Sequence, residues 1–314
     1  MKQVMVSDYL FLLTGIACAA FGGELFVRGT SGVAAVLRIA PSIVAVTVSA
    51  FATSSPELSV AINSGLVDKS SLSLGDALGS NIVNISIVLG TALLISGIPV
   101  GSEVLKRDAP VAILAPVLTT ILLIDGVIDR LEGVFMLAIF AAWMATTVTQ
   151  ALKNRAPSNG KVTVSDRVLP WVQVAGGLVL LVAAGRLIVI STTGIASDFG
   201  IDDFIIGATL VAFGTSVPEL ASTVLAKLKG HDDIGVGTVL GSNIFNSLFI
   251  VAVAAIIRPI RVPLTEVAPA LFFGVLSLLV AVPRRGTGWV RRRQGVLLVL
   301  MYSVYVMTLF FFSR

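Results

Sequence analysis

Two glutamates stand inside otherwise apolar stretches: Glu57 in AFATSSPEL (residues 50–58) and Glu219 in AFGTSVPEL (residues 212–220). Each directly follows a proline. In a helix, Thr53 lies one turn before Glu57 and Ser54 three residues before it, so three side-chain oxygens share one face. Thr215, Ser216 and Glu219 repeat the arrangement. Pro56 removes the hydrogen bond to the carbonyl of Ala52, and Pro218 the one to Gly214, which leaves further oxygens to be satisfied. A second string, GSNIVN (79–84), places Ser80 and Asn84 one turn apart, and GSNIFN (241–246) does the same with Ser242 and Asn246. The sum is two carboxylates, two amides and six hydroxyls, with no imidazole and no thiolate. Such an all-oxygen set suits a hard cation, calcium or sodium, rather than zinc or copper.

Energy points the same way. A carboxylate at the centre of a membrane helix costs at least ~2.5–3.5 kcal/mol, and this chain carries the cost twice. One calcium ion would balance both charges, as would two sodium ions or two protons. The plainer alternatives are a protonated acid bonded within a helix bundle and hydroxyls bonded back to a carbonyl one turn earlier.

The elements that must hold these groups are helices in lipid. The 314 residues are 56% hydrophobic and only 13% charged, against about a quarter charged in soluble domains. Apolar runs long enough to cross ~30 Å of hydrocarbon recur throughout. Ten spans are expected, near 8–28, 42–67, 73–97, 108–126, 131–151, 168–192, 203–227, 235–257, 262–282 and 293–312. The first run continues at spanning length from close to the N-terminus, so no cleavable leader is expected. Six lysines and arginines fall on the face that holds both termini and fifteen on the other. The positive-inside bias therefore predicts both termini extracellular and the central loop (153–167) cytoplasmic, in a multi-pass protein of the plasma membrane. The basic residues lie in loops, which accounts for the net charge of +4 by lipid contact and excludes a nucleic-acid surface. The single cysteine, Cys18, excludes an internal disulfide and a cysteine metal site. No histidine and no deeply placed lysine lies in a span, so a histidine-activated nucleophile or a Schiff base has no candidate and an enzyme is not expected.

An offset of 162 residues maps the first half onto the second: TSSPE onto TSVPE, and GSNIVN onto GSNIFN. Each copy holds five spans, an odd number, so the second copy runs inverted. The expected fold is an all-α integral membrane protein of ten transmembrane helices. They form two inverted five-helix repeats (1–152 and 168–314, joined by 153–167), with helices 2, 3, 7 and 8 interrupted around an ion site at the midplane. Gly75 and Gly79 are expected to bring span three against span two, and Gly237 and Gly241 span eight against span seven. Asp76 shares a face with Ser80 and Asn84; a helix-start carboxylate near the interface is its expected role, with a third site acid as the alternative. Glu24 and Arg28 should pair. His231 should be solvated and Arg186 should snorkel, while Asp198, Asp202 and Asp203 read as a hydrated loop with a helix cap.

The strings TSSPE with GSNIVN, and TSVPE with GSNIFN, resemble the two alpha-repeats of the sodium/calcium exchanger family of the calcium/cation antiporter superfamily, in its short prokaryotic form. The resemblance implies exchange of sodium for calcium by alternating access, the first two helices of each repeat sliding against the rest. It implies that Glu57 and Glu219 bind both ions, with oxygens from Thr53, Ser54, Thr215 and Ser216 and the carbonyls of Ala50 and Ala212. Ser80 and Ser242 would serve flanking sodium sites, and Asn84 and Asn246 the polar centre. Calcium and sodium are then the transported ligands and the bilayer the surroundings, with no cofactor and no obligate protein partner. Members of the family often carry an aspartate where this chain has Asn246. That departure bears on the sodium stoichiometry and keeps proton- or potassium-coupled calcium exchange as the alternative, with a cation channel the reading from another class.

Overall fold

The computed structural model describes residues 6–66, 68–153, 164–196, 203–283 and 288–312. Among them ten helical stretches follow one another: α1 (Val6–Leu37), α2 (residues 41–66), α3 (Ser70–Ile95), α4 (Ser102–Leu122), α5 (Arg130–Lys153), α6 (Val164–Ala196), α7 (residues 203–228), α8 (Asp232–Ile257), α9 (Leu264–Ala281) and α10 (Arg292–Phe312). Five of these are long and apolar enough to cross a membrane, or up to seven if each bent pair counts as one span. Local chemistry sets their ends. Pro41 opens α2 at its first position, where no amide proton is needed. Asp129 and Glu132 form a reciprocal capping box at the start of α5, each side chain accepting the other's backbone N–H at 2.9 and 2.8 Å.

Helices α3 and α8 form the centre. Their most apolar windows are 78% buried, against 28–44% for α4, α5 and α9, whose outer faces present Leu114, Ile121, Leu131, Phe135, Phe272 and Leu279. This distribution is that of an apolar bundle with lipid around it. α1 lies along α6, in a contact close enough that a side-chain carbon on Gly29 would stand 2.6 Å from the backbone nitrogen of Val174.

Contacts recur at the sequence offset. Ile98–Pro99 pairs antiparallel with Trp289–Val290, and Val127–Ile128 with Ile260–Arg261. Adding 162 to the first strand of each ribbon gives the second strand of the other. The glycines behave likewise but with other partners than expected. A carbon on Gly75 would meet the carbonyl of Phe204, and one on Gly79 would lie 2.5 Å from the carbonyl of Ala208, both on α7. A carbon on Gly237 would lie 2.9 Å from the carbonyl of Ser42, and one on Gly241 2.5 Å from that of Val46, both on α2. Span three thus packs on span seven and span eight on span two, across the halves. Small residues allow close approach whichever helix comes near, and spacing within one helix does not name its partner.

α2 and α7 break where the prolines require it. Ser54 (φ −82°, ψ 10°) and Ser216 (φ −82°, ψ 5°) leave helical geometry, and α7 bends by 49° between Gly207–Thr215 and Val217–Leu228. α3 and α8 do not break. Each runs on unbroken through one wide π-helical turn, Asn84–Leu89 and Phe245–Ile250, so the interruption expected in these two helices is absent: neither carries a proline that removes a backbone donor. Glu24 pairs with Arg28 at 2.6 Å, and Lys229 joins them. His231 is exposed. Asp198, Asp202, Arg284, Arg285 and all but the ends of the segment 153–167 lie outside the described residues, as do the side chains of Arg186 and Asp203.

Candidate functional site

The two helix breaks meet directly, Ser54 Oγ lying 3.4 Å from Glu219 Oε1, with α8 against the first break and α3 against the second. Beyond each break a twelve-residue helix begins, Ser55–Leu66 and Val217–Leu228, with Glu57 and Glu219 in the first turn. There the helix dipole favours negative charge. Both glutamates are completely buried, and Thr53, Ser54, Ser80, Asn84, Thr215, Ser216, Ser242 and Asn246 are all at most 4% exposed. Ala50 and Ala212 are also fully buried.

Two hydroxyl clusters flank this centre and are mates under the 162-residue offset. In one, the hydroxyls of Thr53 and Ser242 lie 3.4 Å apart. In the other, those of Ser80 and Thr215 lie 3.2 Å apart. Thr53 also reaches the carbonyl of Ala50 at 3.4 Å, and Thr215 that of Ala212 at 3.3 Å. Back-bonding of these threonines, the plainer expectation, therefore coexists with contact across the halves. Ser80 brings a further donor to the Ala212 carbonyl at 3.4 Å.

The acids are treated unequally. Ser242 donates to Glu219 Oε1 at 2.9 Å and Ser54 to the same oxygen at 3.4 Å. Both oxygens of Glu57 and Oε2 of Glu219 have no hydrogen-bond partner, nor do the side-chain oxygens and nitrogens of Asn84 and Asn246. Those seven buried atoms would cost about 1–3 kcal/mol each if left so, a sum comparable to the whole stability of an ordinary domain. Water would satisfy lone pairs but would leave two negative charges uncompensated in a low-dielectric interior. A cation bound by carboxylate and amide oxygens answers both needs for the five oxygens among them. Among the described residues no three His, Cys, Asp or Glu side chains cluster in metal-binding geometry. The donors are instead two separated carboxylates filled in by amides, hydroxyls and carbonyls, a composition suited to a transported ion rather than a resident one.

Three features were not singled out by residue type or were placed differently. Asn81 and Asn243 are repeat mates, and Asn243 Nδ2 donates to the Asn81 carbonyl at 3.1 Å. A contact between equivalent positions lies where the two halves cross. Asn81 Nδ2 donates in turn to Ser247 Oγ at 2.7 Å. The third residue of each GSN string was the available signal. Asp76, expected near the interface, is 1% exposed and accepts from Thr215 Oγ1 at 3.0 Å and Ser80 Oγ at 3.5 Å. It stands six residues inside α3, about 9 Å along the axis, and α7 covers it from the other half.

Comparison with known proteins agrees with this geometry. The profile of the family described as "Sodium/calcium exchanger protein" matches residues 7–149 and again 169–311. A protein named CaxA from Alkalimonas amylolytica is 34% identical, covering 98% of this chain and 99% of that one. The sodium/calcium exchanger MaX1 of Methanosarcina acetivorans is 28% identical over 97% of this chain and 99% of its own. A solved structure of the sodium-calcium exchanger NCX_Mj, soaked with sodium and strontium, superposes with a TM-score of 0.82 at 27% identity, covering 96% of this chain and 98% of that one. Twofold occurrence of the breaks, the buried acids and the matching profile leads to one conclusion: this chain belongs to the sodium/calcium exchanger family, multi-pass membrane antiporters of calcium and other cations.

Proposed function

We propose that this chain exchanges sodium for calcium by alternating access, with Glu57 and Glu219 sharing one calcium ion between two inverted repeats. The observation that carries the reading is the set of buried, unpartnered oxygens on Glu57, Glu219, Asn84 and Asn246. Calcium would take both carboxylates and amide oxygens at the centre. Sodium would take the flanking clusters, where Thr53, Ser54 and Ser242, and Ser80, Thr215 and Ser216, present hydroxyls beside the carbonyls of Ala50 and Ala212. In this reading both ions compete for the two glutamates, which couples their movements.

Residues 1–152 and 168–314 are the repeats and 153–167 the connection, and all ten helices are spans. The exchanged ribbons, glycine contacts and hydroxyl pairs support two equivalent halves. We place the protein in the plasma membrane with both termini outside, on the lysine and arginine bias alone. Amides at both Asn84 and Asn246 leave two acids at the centre, which is the specific point in favour of proton coupling instead. Radiolabelled calcium uptake into proteoliposomes decides, with sodium, potassium and proton gradients imposed in turn. Uptake on an outward sodium gradient is expected. Uptake driven by protons and indifferent to sodium overturns the coupling, and uptake with no counter-ion gradient overturns exchange altogether.

A further inference from the structure

The two flanking clusters are mates in every hydroxyl but not in their acid. Glu219 serves the Thr53–Ser242 cluster, accepting from Ser242 and Ser54. The mirror of those bonds would run from Ser80 and Ser216 to Glu57. Neither forms: Ser216 Oγ and both Glu57 oxygens are buried without a partner, and Ser80 donates instead to Asp76 and to the carbonyl of Ala212. Asp76 also takes the Thr215 hydroxyl at 3.0 Å. Its second oxygen, Oδ2, is buried and unpartnered. The offset mate of Asp76 is Thr238, an uncharged side chain that is fully buried.

We propose that Asp76 is a third cation-ligating carboxylate, which gives the Ser80–Thr215 flanking sodium site an acid of its own beside the two shared glutamates, one that has no counterpart in the other half. Asp76 Oδ2, the two hydroxyls and the Ala212 carbonyl form an oxygen set for a monovalent ion. The chain thereby recovers, off centre, a negative charge that its paired amides withhold from the middle. The two flanking sites then differ in strength, the Asp76 side binding sodium more tightly.

The inference rests on the exchange reading but is separable from it. Calcium-for-calcium exchange in proteoliposomes needs only the central pair, and adding sodium to both sides reads the flanking sites by inhibition. In Asp76→Asn, calcium-for-calcium exchange should remain measurable, and its response to sodium is the readout. The sodium concentration for half-inhibition should rise about tenfold or more, since one unit charge at contact distance is removed, and the sodium response should lose about one unit of cooperativity. Asp76→Glu should restore the sodium response, and Thr238→Ala should leave it untouched. A sodium response in Asp76→Asn equal to that of wild type overturns the role of Asp76 while leaving sodium coupling intact. So does loss of calcium-for-calcium exchange in both Asp76→Asn and Asp76→Glu. A wild type blind to sodium refutes both proposals together.

Discussion

Gly79→Ala tests whether the two halves are locked by backbone contact next to the site. The new carbon would stand 2.5 Å from the carbonyl oxygen of Ala208 and 2.7 Å from its carbonyl carbon and Cα. All three are backbone atoms, so no side-chain rotation relieves the clash, and α3 and α7 must part by about 0.9 Å to reach ordinary contact. Overpacking of this kind costs about 1–3 kcal/mol, offset by up to ~1 kcal/mol of helix propensity that alanine brings. The net loss of about 1–2 kcal/mol should lower the melting temperature of the detergent-purified protein by roughly 2–8 °C. Function should suffer more. Gly79 precedes Ser80, whose hydroxyl lies 3.2 Å from Thr215 and 3.4 Å from the Ala212 carbonyl. A displacement near 1 Å takes both beyond hydrogen-bond reach, and misplacement on that scale costs on the order of a hundredfold in rate. Gly241→Ala should match it, meeting the Val46 carbonyl at 2.5 Å. Gly176→Ala, with nothing within 4 Å, should melt at or above wild type. If Gly79→Ala melts and transports like Gly176→Ala, the cross-half packing and its link to the site are wrong.

Other perturbations separate ion chemistry from scaffold. Glu57→Gln and Glu219→Gln should each abolish calcium uptake while the protein still inserts and purifies as a single species; undiminished uptake in either removes that residue from the site. Tyr305 is fully buried and its hydroxyl donates to the Ala208 carbonyl at 3.1 Å. Tyr305→Phe should therefore cost about 1 kcal/mol, read as a lowered melting temperature, with the calcium dependence of uptake unchanged. Asp108 is fully buried, pairs with Arg107 at 2.7 Å and accepts from Trp143 Nε1 at 3.1 Å. Asp108→Ala should destabilise by about 2–3 kcal/mol, because it leaves a guanidinium whose side chain is only 8% exposed with no carboxylate and only Gln150 Oε1, at 3.2 Å, to accept from it; a melting temperature like that of wild type would contradict the pairing.

What the amino-acid order disclosed was whatever local chemistry decides. Pro56 and Pro218 marked the breaks in α2 and α7, because a missing amide proton acts within one turn. The oxygen-bearing residue types were readable, but their arrangement on one helical face was not, because the helix breaks at Ser54, between Thr53 and Glu57, and Ser54 donates to Glu219 of the other half. Partner choice was not readable. Gly75 and Gly237 declare a smooth helix face, and only the crossing of two distant segments decides that α7 and α2 cover them. Asp76 shows the same limit in another form. Periodicity put it beside Ser80, but its burial comes from α7, supplied by residues more than a hundred positions away. The π-helical turns at Asn84–Leu89 and Phe245–Ile250 left no local mark, since one extra residue in a turn alters no pattern that apolar spacing can register.

Crystals soaked with strontium, with the anomalous signal used to locate the ion, test the core of this account most directly. It predicts one strong peak within coordination distance of carboxylate oxygens from both Glu57 and Glu219, lost in either glutamine variant. A peak touching only one of the two acids, or lying elsewhere in the bundle, would contradict it.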